Sequence, residues 1–177
     1  KAGHQVTLLT FRPRGVLDAM LANPSLAPRA SSVGRLFDAV AAAVGLCRER
    51  SAYEGEAAIR LEGLVTAADL DESDELDYPF AIPRLDKGKG LPYVEPLAMW
   101  QALLGDLILH TPPARIAARF HRGLAAVVVR MARQQAEQHE VTTVALGGGV
   151  FQNKVLAELV LQGLAAAGLN ALLPRAV

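Results

Sequence analysis

An α/β fold, rich in helix and closing on a parallel βαβ unit, is the class this sequence predicts. Three observations lead there. The composition is 51% hydrophobic but only 5% aromatic, so alanine, leucine and valine must fill the core, which favours helices over a sandwich. Apolar residues recur at helical spacing over several long stretches. From 141 to 173 an apolar run, a glycine triplet, a periodic stretch and a second apolar run follow one another. A strand, a crossover helix and a strand most simply form a right-handed parallel unit.

With 177 residues the chain is one domain of ordinary size or a large piece of one. It begins without Met and stops at "NALLPRAV", just past a strand-like run, and so reads as part of a longer polypeptide. Lys+Arg and Asp+Glu both number 18, which argues against nucleic acid or an anionic membrane as the main partner. No apolar run approaches the length of a membrane span. The single Cys47 excludes an internal disulfide framework and fits a reducing compartment. It reads as a small buried side chain in a cytoplasmic protein.

The elements follow in order. Residues 1–30 carry scattered Pro and Gly, with one short helix near Gly15–Ala22, and read as the poorly ordered part of the chain. "SSVGRLFDAVAAAVG" (31–45) predicts a helix capped by Ser31 or Ser32, with Val33, Leu36, Phe37, Val40 and Val44 on its apolar face. "SAYEGEAAIRLEGLV" (51–65) predicts a second, whose start, Ser51 to Glu54, fits a capping box. The acidic "DLDESDELDY" (69–78) reads as a solvated loop without the pattern of a calcium loop. Residues 79–93 suggest a strand or two joined by a turn. Glu95–His110 is a helix burying Trp100, Leu103, Leu104 and Leu107. Pro112 and Pro113 then start the longest helix, to about Glu140, with Ile116, Phe120, Leu124, Val127 and Met131 on one stripe. Strand 141–146, the glycine turn, helix 151–167 and strand 169–173 finish the chain.

Two stretches could carry chemistry. A glycine turn between a strand and a helix offers backbone N–H groups and the positive end of a helix dipole, which suits an anion. "GGGVFQNK" (147–154) is neither a P-loop nor G-x-G-x-x-G, so a phosphate site and a tight βα turn stay open as alternatives. Asn153 either reaches toward a ligand or caps its helix. On helix 31–45, Gly34, Asp38, Ala41 and Gly45 form a stripe of small residues with one carboxylate, suited to a pair of ribose hydroxyls or to a tight helix–helix contact. Glu54, Gly55 and Glu56 stand at a helix start. His121, beside Phe120, reads as packed or surface, and His4, His110 and His139 show no metal-ligand spacing.

Four stretches in order, "SSVGRLFDAVAAAVGL", "YEGEAAIRLE", "IAARFH" and "VALGGGVFQNKVL", resemble the carbamoyltransferase domain of the HypF family of hydrogenase maturation factors. The resemblance implies the helix-rich second lobe, incomplete, of the two-lobed fold shared by actin, Hsp70 and sugar kinases. It implies kinship with TsaD-type tRNA-modifying proteins and O-carbamoyltransferases, which remain the alternative activities alongside a non-catalytic docking module. In the family, carbamoyl phosphate and ATP, with Mg, give carbamoyl-adenylate, and this domain passes the carbamoyl group to the C-terminal cysteine of HypE. Carried over by motif, Asp38 holds the ribose hydroxyls, Gly55 lies at the ribose with Glu54 beside it, and Gly148, Gly149 and Asn153 surround the phosphate and adenosine. The family's divalent metal, iron or zinc, takes ligands from a His-rich motif and an Asn-Asp-Gly-Gly segment, neither of which this sequence contains. Alone, the chain is therefore expected to be inactive in transfer.

Overall fold

The chain is represented by a computed structural model that describes residues 14–23, 25–27, 30–88 and 90–173. Its helices are α1 (Arg14–Ala22), α2 (Val33–Ala43), α3 (Glu56–Glu62), α4 (Ala67–Leu70), α5 (Leu85–Gly88), α6 (Leu97–Ile108), α7 (Pro113–His139) and α8 (Lys154–Ala166). Two 3₁₀ turns, Asp74–Leu76 and Gly149–Gln152, and two strands, β1 (Thr143–Ala145) and β2 (Asn170–Leu172), complete it. Of the segment 1–30, residues 1–13 lie outside the described part, and the expected short helix is α1, which buries none of its residues.

Helix α7 is the spine. Pro113 stands at its first turn, where a missing N–H costs nothing, and Ile116, Phe120, Leu124 and Val127 are buried as the stripe requires. Helix α8 packs along it through Leu156, Val160 and Leu164. Gly163 allows that approach, since a Cβ there would stand 2.7 Å from a Val129 methyl. Helix α2 contributes Phe37, Val40 and Ala41, and α6 contributes Met99 and Leu103. The ring of Phe37 meets that of Phe120 edge-on with centroids 5.0 Å apart, which adds to the area they bury. Strands β1 and β2 pair in parallel, Thr143 opposite Asn170 and Ala145 opposite Leu172, with α8 as their crossover. The fold class is thus the expected one: a helix-rich, partial α/β lobe.

Four local expectations need correction. The second helix begins at Glu56, after Gly55 in the left-handed region (φ 82°). Its capping carboxylate is Glu56, which accepts from the Ala52 amide and the Ser51 hydroxyl; Glu54 is exposed. Ser32 stands at the N-cap of α2 without a side-chain bond to its amides. Residues 79–93 form isolated antiparallel bridges, Ala81 to Glu95 and Arg84 to Pro92, around α5 instead of full strands. Leu104 faces solvent, and Asp106 takes a buried place on α6 because Tyr78, Thr111 and Arg119 bond it there.

Candidate functional site

The glycine triplet follows β1, whose last anchoring bond runs from the Leu146 amide to the Leu172 carbonyl (2.8 Å). Gly148 has φ 98°, a backbone that side chains rarely adopt. A Cβ at Gly147, Gly148 or Gly149 would meet nothing within 4 Å. Gly123, by contrast, lies hard against the Tyr78 backbone, so that a Cβ would overlap the Tyr78 carbonyl oxygen. Packing among the described residues therefore accounts for Gly123 and Gly163, but not for the triplet, which faces none of them. Among the described residues the amides of Gly147 and Gly148 donate to no carbonyl or side chain.

The start of α8 is built differently. Asn153 is buried; its Oδ1 accepts from the Leu156 amide (2.8 Å) and its Nδ2 donates to His121 Nε2 (3.0 Å). His121 Nδ1 lies 2.7 Å from the Ala117 carbonyl, which can only accept, so the proton sits on Nδ1 and Nε2 is the acceptor. The ring is fully buried and meets Phe37 edge-on at 5.3 Å. Burial holds its pKa below 6.5, against the opposing pull of the Ala117 carbonyl and the Glu62 charge. Glu62, the last residue of α3, completes the joint: its Oε1 accepts from the amides of Lys154 (2.7 Å) and Val155 (3.3 Å). The helix terminus that the sequence offered to an anion is thus already filled by the chain's own side chains.

Asp38 is partly exposed and pairs with exposed Arg35 at 3.0 Å. Of the two readings of the small-residue stripe around it, packing holds at Ala41, which is in the core, while Arg48 lies over Gly45 and donates to the Ala42 and Ala43 carbonyls, closing the end of α2. The elements that carry the predicted residues do come together. Helix α2 packs on α3 and on the 3₁₀ turn Gly149–Gln152, and Glu62 ties α3 to α8. Asp38, Gly55, the glycine turn and Asn153 accordingly belong to one contiguous set of elements, although the Asp38 carboxylate is bonded to Arg35 and not to the others. The larger groove, about 950 Å³ between 77–80, α7 and α8, contains none of them. A smaller one, about 570 Å³ between α7 and β1, reaches Gly147 and Phe151.

The acidic stretch is bolted down where a solvated loop was expected. Arg119 spans two carboxylates, Glu72 (2.7 and 2.8 Å) and Asp106 (2.8 Å), while the Tyr78 hydroxyl donates to Asp106 (2.6 Å). Arg122 holds Asp77 and the carbonyls of Asp69, Leu70 and Glu72. The Arg119 hydrogen bonds lower the Glu72 pKa. Burial alone would raise that of Asp106, but bonds from Tyr78, Arg119 and Thr111 outweigh it and hold it below 3.8. Two arginines three apart inside an apolar helical run were the available signal for this cluster. Among the described residues no group of three or more His, Cys, Asp or Glu could hold a metal ion, and no helix is long and apolar enough to cross a membrane. Cys47 is half-buried rather than buried.

Residues 4–177 match the family described as "Carbamoyltransferase, Kae1-like Domain, second subdomain" of HypF. The chain belongs to the HypF carbamoyltransferase family. It is 42% identical over 161 residues to a Cupriavidus necator protein named carbamoyltransferase HypF homolog, covering 90% of this chain and 39% of that one. To the carbamoyltransferase HypF of Rhodobacter capsulatus it is 38% identical, over 92% of this chain and 20% of that one. It also superposes on a solved full-length HypF in a phosphate- and nucleotide-bound form, with TM-score 0.70 and 29% identity over 81% of this chain and 21% of that one. For HypF of T. kodakarensis the TM-score is 0.63 at 27% identity, over 81% of this chain and 17% of that one. The chain thus spans two fifths or less of the length of these HypF proteins, and its relatives form a transferase family.

Proposed function

We propose that this chain forms the nucleotide-facing wall of a HypF-type carbamoyltransferase domain, with carbamoyl-adenylate as the bound species and the C-terminal cysteine of HypE as acceptor. ATP and carbamoyl phosphate are the substrates from which the adenylate arises. The observation that supports it best is the bare glycine turn, whose openness no packing among the described residues requires. Asp38 meets the ribose hydroxyls, exchanging its Arg35 contact for them, and Gly55, with Glu54 beside it, lies at the sugar. The amides of Gly148 and Gly149 face the phosphate, and Asn153 fixes the end of the turn.

In the transfer, the acceptor sulfur adds to the carbamoyl carbon and the bond from that carbon to the phosphate oxygen breaks. AMP leaves with the electron pair, and the thiol proton passes to a base outside the residues named here. Backbone donors already placed at the turn stabilise the charge gathering on the departing phosphate, which makes the mixed anhydride a better donor. The described residues hold no ligand cluster that fits iron, zinc or Mg. The balanced charge of 18 basic and 18 acidic residues gives no support to a tRNA substrate.

A thermal melt of the full-length protein tests this reading, with and without millimolar AMP or ATP, repeated on Asp38→Ala. Ligand at about 100 times its dissociation constant adds roughly 2.7 kcal/mol of stability. A shift present in the wild type and lost in Asp38→Ala is the expected result. A wild type that nucleotide leaves unshifted overturns the reading.

A further inference from the structure

We infer that Glu62 is a positioning residue for the nucleotide site, and that a bound phosphate is held by the glycine-turn amides because the start of α8 is closed to it. The inference rests on the nucleotide reading above and deepens it. Every amide at the start of α8 has a partner within the chain. Asn153 N donates to the Val150 carbonyl and Ala157 N to the Asn153 carbonyl. Lys154 N and Val155 N donate to Glu62, and Leu156 N to the Asn153 side chain. A helix N-terminus binds anions through amides left unpaired, and here none is left. A carboxylate already sits in the positive field of the helix end. Among the described residues, donors without a carbonyl or side-chain partner lie upstream, at Gly147 and Gly148.

Among the described residues, Glu62 is also the side chain whose hydrogen bonds join α3 to α8. It closes α3, which starts immediately after Gly55, and it grips the first two residues after Asn153. The ribose-side helix and the start of α8, which share α2 as a packing neighbour through α3 and the turn, are therefore tied directly by one carboxylate reaching across 92 positions of sequence. The opposite side of the joint is fixed by His121, which accepts from Asn153 Nδ2 through a ring locked between Phe37, Phe120 and the Ala117 carbonyl.

The test is calorimetric titration of the full-length protein with AMP and with adenosine, on wild type, Glu62→Ala, Glu62→Gln and Glu62→Asp, with a melt of each. Loosening the joint costs the phosphate contacts more than the sugar contacts. Glu62→Ala should therefore lower AMP affinity about tenfold, the scale of one charge-assisted hydrogen bond, and shrink the ratio of AMP to adenosine affinity. Glu62→Gln, which keeps an acceptor oxygen for the two amides, should restore most of that ratio. Should Glu62→Ala not fold, Glu62→Asp serves instead: it keeps the charge but withdraws the carboxylate by one methylene, and the same fall is expected. An unchanged ratio in the variants overturns the inference even if their Tm falls, since that is a purely structural role. AMP binding tightened by Glu62→Ala overturns it too, by showing the helix terminus to be the phosphate site that Glu62 blocks. Wild type that binds neither ligand defeats the nucleotide reading itself and the inference with it.

Discussion

At the scale of single residues, glycine has two separable uses in this chain. Gly123 stands where α7 presses on the backbone of Tyr78, and an added Cβ would force one of the two backbones to shift. Gly123→Ala should destabilise the protein by about 3 kcal/mol, the upper range for overpacking, as a drop in the midpoint of urea unfolding. Gly147→Ala meets open space and should cost less than about 1 kcal/mol. His121 adds a titration. Its folded-state pKa is depressed by burial, so as pH falls below 6.5 the unfolded chain takes up a proton that the folded one refuses. Stability is then complete above the ordinary histidine value and declines below it, by at most about 1.4 kcal/mol per pH unit for one such group. His121→Gln, followed by urea unfolding from pH 7.5 to 5, should flatten that part of the curve relative to the wild type. A parallel slope in the variant would exclude His121 as its source.

At the scale of elements, the organising device is a long helix that anchors a loop with buried charge. Arg119 on α7 is shared between Glu72 and Asp106, and all three side chains are largely sequestered. Removing only the cation leaves two carboxylates without their partner, which in buried pairs costs roughly 3–5 kcal/mol. Arg119→Leu should lose about that much in denaturant unfolding, whereas Arg35→Leu, in an exposed pair, should lose less than about 1 kcal/mol. Equal losses would mean that the cluster is electrostatically slack. The acidic loop misled the sequence reading for the same reason. Its charges look solvated when read alone, because the arginines that neutralise them come 45 and 47 positions later.

At the scale of the whole molecule, α7 joins two regions, the α2/α3/α8 side that carries the predicted nucleotide residues and the α6 side that carries the ion cluster. Leu104 and Ile108 of α6 remain more than half exposed, with Leu109 just beyond, and among the described residues the two-stranded sheet leaves β1 and β2 each with one unpaired edge. These features fit a chain that covers two fifths or less of its relatives' length, and they are the reason the ligand tests belong on the full-length protein.

The sequence alone determined the α/β class, the parallel strand–helix–strand ending, the stripe of α7, and the family, because each is written in local periodicity or in contiguous motifs. It also marked Gly148 and Asn153, since a glycine turn and a helix cap are local devices. Only the tertiary structure decided what the start of α8 does. Glu62 and His121 reach it from 92 and 32 residues away, and no spacing rule connects a glutamate at the end of one helix to the free amides of another. The same holds for Ala41, which lies in the core, and for Glu56, which caps α3 where Glu54 was expected. Burial and hydrogen-bond partnership depend on which elements meet, and pattern along one element specifies only the face it offers.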